Sequence, residues 1–161
     1  MKKSPRAKIH NRLPVAAVFG KNIENLRINE NSKRYVFSKH IHYDRNRLAE
    51  LEDGMQDIHL STAIRIAKSV NISLEFLFDP SFRDEFDSCR LEQFKDVDYL
   101  SVFISNVTKK LSTLNLKKTT AFRNREKAFR ILSKRVTDPM ISSLSEMAED
   151  LNTPLSELLR K

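Results

Sequence analysis

The chain of 161 residues carries a formal net charge of +8 and has a pI near 9.7. This balance favours a polyanionic partner, either nucleic acid or an acidic membrane surface. The single cysteine, Cys89, excludes an internal disulfide and a cysteine-built zinc site. No apolar run approaches the roughly 18 residues of a membrane span or the core of a signal peptide. We therefore expect a cytoplasmic protein with no membrane partner.

The positive charge lies at the two ends of the chain. Residues 1–18 hold five bases and no acid, and residues 98–161 hold twelve bases and seven acids. Residues 19–80 are neutral, with nine of each, and residues 81–97 have a net charge of −2. We expect residues 1–18 to form a flexible basic arm, which either tracks a DNA duplex or serves only as a solubilising tail.

Apolar residues recur at helical spacing along the chain, and no alternating strand pattern accompanies them. Only two glycines are available for tight hairpins. These patterns predict an all-α fold. We expect five short helices in residues 19–80, a helical linker in residues 81–97 and a second small helical domain in residues 98–161.

The last part of the chain repeats the first domain at a constant spacing. Residues 66–77 align with residues 147–158, and the same spacing, which we call the repeat offset, pairs Ile23 with Ile104. The second helices do not align cleanly. We interpret the pattern as a degenerate duplication, the alternative being two unrelated amphipathic segments that share a period.

Four short helical segments and a turn follow one another in residues 19–79. They are residues 22–27, 34–41, the turn 42–44, 44–51 and 60–67. This ordered pattern resembles the helix-turn-helix domain of the lambda repressor and Cro type, also called the XRE family, in which residues 44–51 would be the recognition helix. The turn position that this family often fills with glycine is His42 here, so we expect a slightly different turn geometry.

The resemblance implies that the recognition helix enters the major groove of double-stranded DNA, with its N-terminal end at the base edges. Leu48 and Leu51 would anchor this helix to the domain. Arginine can bond guanine, asparagine can bond adenine, and glutamate can accept from cytosine. The alternative is a solvated polar face without a ligand. The side chains expected to read bases are Arg45, Asn46, Arg47, Glu50 and, at an outer base, Arg34.

Phosphate contacts are expected in both domains. Residues 109–135 carry ten bases and one acid, a density that favours either auxiliary DNA binding or a dimerisation role for the second domain. The side chains expected near phosphate are Lys33, Asp44, His59, Lys117, Lys118, Arg125 and Lys127.

The family also commonly buries an arginine of the first helix against the glutamate that ends the recognition helix. Arg27 and Glu52 stand at these positions. At the repeat offset, the second copy has Thr108 and Ser133 instead. Both partners are then absent together, as expected of a degenerate duplicate, because half of a buried ion pair is strongly destabilising.

One domain of this type covers half a site, so we predict a homodimer that spans two half-sites. Residues 76–103 contain more phenylalanine than one small domain needs to bury, which indicates an exposed apolar seam. The competing possibility is a monomer whose two helix-turn-helix units dock in tandem around those phenylalanines. The expected dimerisation residues are Phe76, Phe78, Phe82 and Phe86.

No catalytic, metal or cofactor site is expected. The chain lacks a glycine-rich phosphate loop and a His-Glu-x-x-His motif, and His40 and His42 would point to different helix faces. No small-molecule ligand is evident. The leading hypothesis is a DNA-binding transcriptional regulator, a repressor of phage or mobile-element type. The alternative is a protein-interaction module, such as an antitoxin or antirepressor, that grips a protein with the same fold.

Overall fold

The computed structural model describes residues 14–82, 89–114, 122–123 and 125–161. These residues form nine helices and no strand, which confirms the predicted all-α class. None of the described helices is both long and apolar enough to cross a membrane. In chain order they are α1 Pro14–Asn29, α2 Arg34–His40, α3 Arg45–Glu52, α4 Leu60–Val70, α5 Leu74–Leu77, α6 Tyr99–Thr113, α7 Glu126–Ser133, α8 Ile141–Asp150 and α9 Leu155–Leu158.

Two predicted boundaries need correction. α1 begins at Pro14, so residues 14–18 belong to the first helix and not to the basic arm, whose other residues lie outside the described ranges. Proline suits the first helical position because the N–H that it lacks would have no intrahelical acceptor there. Residues 91–97 contain no helix, so the predicted helical linker, residues 81–97, is wrong for this stretch.

The helices from α3 onward follow the repeat in the sequence. The starts of α3, α4 and α5 are related to the starts of α7, α8 and α9 by the repeat offset. Left-handed backbone positions recur at the same offset: Asn71 and Asn152 have φ of 54° and 50°, and Gly54 and Arg135 have φ of 70° and 56°. From the starts of α3 and α7 onward, the helices and left-handed turns therefore lie at equivalent positions, although the N-cap residues differ: Asp44 is extended, with ψ of 129°, and Arg125 has ψ of 0°.

The first helices of the two copies repeat at a different spacing. The side-chain amide of Asn22 in α1 donates to the carbonyl oxygen of Leu77 at 3.1 Å, and that of Asn106 in α6 donates to Leu158 at 3.0 Å. The two acceptors are related by the repeat offset, but that offset would pair Asn22 with Phe103 and not with Asn106. The alignment of α6 by the repeat offset is therefore wrong by three positions.

At the corrected spacing, Ile23 corresponds to Val107 and not to Ile104. Ile23 and Val107 are both fully buried, while Ile104 is only partly buried. A shift of three positions is close to one helical turn, so it leaves an apolar stripe facing almost the same way. Apolar spacing alone could not distinguish the two alignments.

The two copies share one hydrophobic core. We call residues 14–82 the first half and the described residues from 89 onward the second half. α5 packs against α9, and α1 packs against α8. The hydroxyl of Tyr99 in α6 accepts a hydrogen bond from the backbone amide of Leu74 in α5 at 3.1 Å. The predicted domains, 19–80 and 98–161, are thus two parts of one packed unit.

Both glycines lie where α1 meets the end of α3. A Cβ atom on Gly20 would lie 2.0 Å from the carbonyl oxygen of Leu51. Gly54 has φ of 70°, and a Cβ atom there would lie 2.5 Å from the Cα of Ala17. The absence of these side chains lets the backbones touch, and this contact sets the position of α3 on the domain.

Candidate nucleic-acid interface

α3 is a short helix with a capped and exposed N-terminal end. The side chain of Asp44 accepts hydrogen bonds from the amides of Asn46 and Arg47 at 2.9 and 3.0 Å. Leu48 and Leu51 are buried in the core. The N-cap and the apolar anchors are where the sequence predicted them, and they direct the polar side chains of the first turn to solvent.

The exposed side chains of α3 are held by neighbours. The guanidinium of Arg47 donates to the side-chain carbonyl of Gln56, and the amide of Gln56 donates to the carboxylate of Glu50. The guanidinium of Arg45 lies 5.3 Å from the ring centroid of Tyr35 on α2, a distance at which a cation and an aromatic face attract. The sequence did not predict a role for Gln56 or Tyr35, because neither residue lies at a recognised motif position.

A buried carboxylate links α1, α2 and α3. Glu52 accepts bonds from the Nε of Arg27 at 2.6 Å and the Nε of Arg34 at 2.7 Å, and its side chain is 1% exposed. The predicted Arg27–Glu52 pair is therefore confirmed. In the second half, α6 carries half-buried Leu111 at the position equivalent to Arg27, so the assignment of Thr108 to that position is wrong.

The guanidinium of Arg34 is not free, because it is paired with Glu52. Its hydrogen bond to Glu52 raises the pKa of Arg34 above its ordinary value. The side chain remains 49% exposed, so one edge still faces solvent. The prediction that Arg34 reads an outer base applies at most to that edge. Lys33, at the N-cap of α2, is exposed and unengaged by any ion pair among the described residues.

The turn between α2 and α3 keeps a glycine-like geometry without glycine. His42 has φ of 51°, in the left-handed region, and the amide of Tyr43 donates to the carbonyl oxygen of Ser38 at 2.9 Å. An L-residue adopts this conformation at a cost of about 1 kcal/mol. The expectation of a different turn geometry is therefore wrong: the histidine takes on the strained conformation.

Two predicted phosphate contacts are engaged elsewhere. The carboxylate of Asp44 occupies the amides that could otherwise receive an anion, so Asp44 acts as a helix cap. His59 faces the second half, where its Nδ1 lies 2.9 Å from the carbonyl oxygen of Asp138. The neighbouring amide of Leu60 donates to the carbonyl oxygen of Pro139 at 2.9 Å. This loop therefore joins the two halves.

The start of α7, which is equivalent to the start of α3, carries a different set of side chains. Arg125, which replaces an aspartate cap, is ion-paired with Asp150 at 2.6 Å and with Glu146. Lys127 is exposed and lacks an ion pair within the described ranges. Lys117 and Lys118 lie outside the described residues.

The phenylalanines predicted to form a dimer seam are mostly internal. Phe78 and Phe82 are 5% and 3% exposed, and Phe78 stacks on Phe19 with ring centroids 5.0 Å apart. Phe76 is partly buried and stacks on Phe82. Phe86 lies outside the described residues. The burial of the other three contradicts an exposed seam, because the chain itself covers them.

Within the described ranges, no group of three or more His, Cys, Asp or Glu side chains is placed to hold a metal ion. The N-terminal end of α3 and the adjoining start of α2 together present exposed polar and basic side chains. No protein-family model matches the chain, and neither the curated proteins nor the solved structures contain a significant match to it.

Proposed function

We propose that the protein is a sequence-specific DNA-binding transcriptional regulator, a repressor of the XRE helix-turn-helix type. The observation that carries the proposal is α3: two buried leucines and an aspartate cap hold it, while Arg45, Asn46 and Arg47 project from its exposed first turn. This is the end of a recognition helix that meets base edges in the major groove.

The chemistry of these side chains fits direct readout. An arginine can bond both O6 and N7 of guanine, and an asparagine can bond N6 and N7 of adenine. Arg45 is pre-positioned by Tyr35, and Arg47 is linked through Gln56 to Glu50, so fewer side-chain conformations need to be lost on binding. The net charge of +8 adds attraction that does not depend on sequence.

Selection of genomic fragments bound by the full chain, followed by salt titration on the enriched duplex, tests the proposal. Counterion release predicts a log–log slope of about −0.9 per phosphate neutralised. We expect one enriched motif and a steep slope. A chain that enriches no motif and shifts no duplex, but forms a complex with a protein partner, would support the protein-interaction alternative.

A further inference from the structure

Reciprocal backbone hydrogen bonds join the two halves. The amide of Leu60 donates to the carbonyl oxygen of Pro139 at 2.9 Å, and the amide of Ile141 donates to that of Ile58 at 2.9 Å. The repeat offset relates the two donors to each other and the two acceptors to each other. The same stretch therefore meets its own repeat in an antiparallel pairing.

The side chains show the same exchange. The amide of Ser61 donates to Asp138 at 3.0 Å, and the amide of Ser142 donates to Asp57 at 3.1 Å. Neither α4 nor α8 receives a capping bond from the side chain of its own N-cap residue. Each helix is instead capped by the aspartate of the other half.

An interface in which residue i contacts j and j contacts i is the signature of a two-fold axis. In this chain the axis is approximate and relates two halves of one polypeptide. The contact between α5 and α9, which are equivalent elements, obeys the same relation. α3 and α7 occupy equivalent places in the order of helices, so the same approximate two-fold relates them, although α3 packs closely on α1 and α7 has no comparable packing on α6 among the described residues.

We propose that one chain occupies one duplex site made of two unlike half-sites, with α3 on the first and α7 on the second. The inference rests on the proposed function and names its DNA target more closely. In dimers of this class, two symmetry-related recognition helices enter successive major grooves about 34–36 Å apart along the duplex. The shared core and the crossed caps hold α3 and α7 in one unit, as a dimer interface holds the recognition helices of two chains.

The two half-sites differ because the first turns of α3 and α7 carry different side chains. Arginine and asparagine are absent from the first turn of α7, which keeps one lysine among acidic and apolar groups. Ile131 is 46% exposed, and exposed apolar groups at this position suit the methyl group of thymine. α7 therefore adds attraction to phosphate and a weak preference among base pairs, while α3 supplies most of the discrimination between DNA sequences. The replacements are Arg45 by Glu126, Asn46 by Lys127, Arg47 by Ala128 and Glu50 by Ile131.

Sedimentation and hydroxyl-radical footprinting of the full chain on its selected duplex test the proposal. We expect one 18.8 kDa chain per duplex, a motif without two-fold symmetry, and two protected segments about one helical turn apart on one face. Two chains on a palindromic motif would overturn this inference and leave the proposed function intact. Failure to bind any duplex would overturn both.

A single substitution separates the halves on the same duplex. Lys127→Ala should weaken protection of the second segment alone and lower the magnitude of the salt slope by about 0.9, the contribution of one phosphate. Lys95→Ala, an exposed lysine outside the described helices, is the matched control and should change neither quantity. Unchanged protection and slope with Lys127→Ala would contradict the assignment of α7 to DNA.

Discussion

Asp138 accepts two hydrogen bonds from Ser61, one from the backbone amide at 3.0 Å and one from the hydroxyl at 2.5 Å. The bonds lie at the N-terminus of α4. There an acceptor satisfies an amide that has no partner within the helix, and a negative charge is attracted to the positive end of the helix dipole. The donor is in the first half and the acceptor in the second, so a local feature of one helix depends on a residue 77 positions away.

Removal of this cap should destabilise both halves together. Asp138→Ala is expected to lower the free energy of unfolding by about 0.5–2 kcal/mol, and Asp57→Ala by a similar amount. Asp96→Ala removes an exposed aspartate from a surface ion pair and should have an effect within about 0.5 kcal/mol. Urea unfolding should show one transition that shifts as a whole. Separate transitions, only one of which moves, would show that the halves unfold independently.

Gly20 permits the close contact of α1 with the end of α3. Gly20→Ala should destabilise the protein by about 1–3 kcal/mol, because the added methyl group would meet the carbonyl oxygen of Leu51 and force α3 away. Ser105→Ala, on the exposed face of α6, provides a control expected to fall within about 0.5 kcal/mol. Equal stabilities for the two variants would mean that this contact is looser than described.

Glu52 is buried between two arginines. Removal of one arginine should destabilise the protein, and removal of Glu52 as well should restore part of the lost stability. Arg27→Met should destabilise the protein by about 3 kcal/mol, near the low end for a broken buried pair because Arg34 remains. Arg27→Met combined with Glu52→Leu should recover much of that loss, since no buried charge then lacks a partner. Thermal unfolding of the two single variants and the double variant measures the coupling. Strictly additive losses would show that the two side chains do not interact.

Base reading and phosphate attraction should be separable by substitution. Arg45→Ala or Asn46→Ala is expected to weaken binding to the selected duplex by about 1–3 kcal/mol and to relax preference at one base position each. Lys33→Ala should weaken binding to all sequences alike. Affinity measurements on a set of single-base variants of the duplex distinguish the two patterns. An Arg45→Ala protein with unaltered affinity and preference would exclude α3 as the reader.

Acid should weaken the start of α6 through Asp98. Hydrogen bonds from the hydroxyl and amide of Ser101 hold the pKa of Asp98 below its ordinary value of 3.8. A lowered pKa in the folded state means that the cap stabilises above the unfolded pKa and is lost as pH falls through the folded pKa, below about pH 4. Asp98→Asn should retain the cap at neutral pH and lose this acid dependence. The measurement is the free energy of unfolding of both proteins from neutral pH to below pH 3.8. The difference between the two proteins gives the acid dependence that Asp98 contributes.

Features set by local spacing were predictable from the sequence. Asp44, Leu48 and Leu51 define a capped helix within a few residues, and the cap and the two apolar anchors are as predicted, although Asp44 was also expected to contact phosphate. The Arg27–Glu52 pair followed from a family resemblance and is present in the structure.

The sequence could not predict which part of the molecule packs against each apolar face. The spacing of Phe78 and Phe82 shows that their side chains need to be buried, but it cannot show whether a second copy or the same chain buries them. The crossed caps were also hidden, because Asp57 and Asp138 precede helices that they do not cap.

Because the halves that meet through Asp57 and Asp138 belong to one polypeptide, their pairing needs no second molecule. Separate subunits must assemble before they bind DNA, so site occupancy depends steeply on protein concentration near the dissociation constant of the dimer. Within one chain, the effective concentration of the partner is on the order of millimolar and does not fall when the protein is diluted. Occupancy of the DNA site should then rise hyperbolically with protein concentration. A regulator built in this way would respond gradually to the number of its own molecules in the cell.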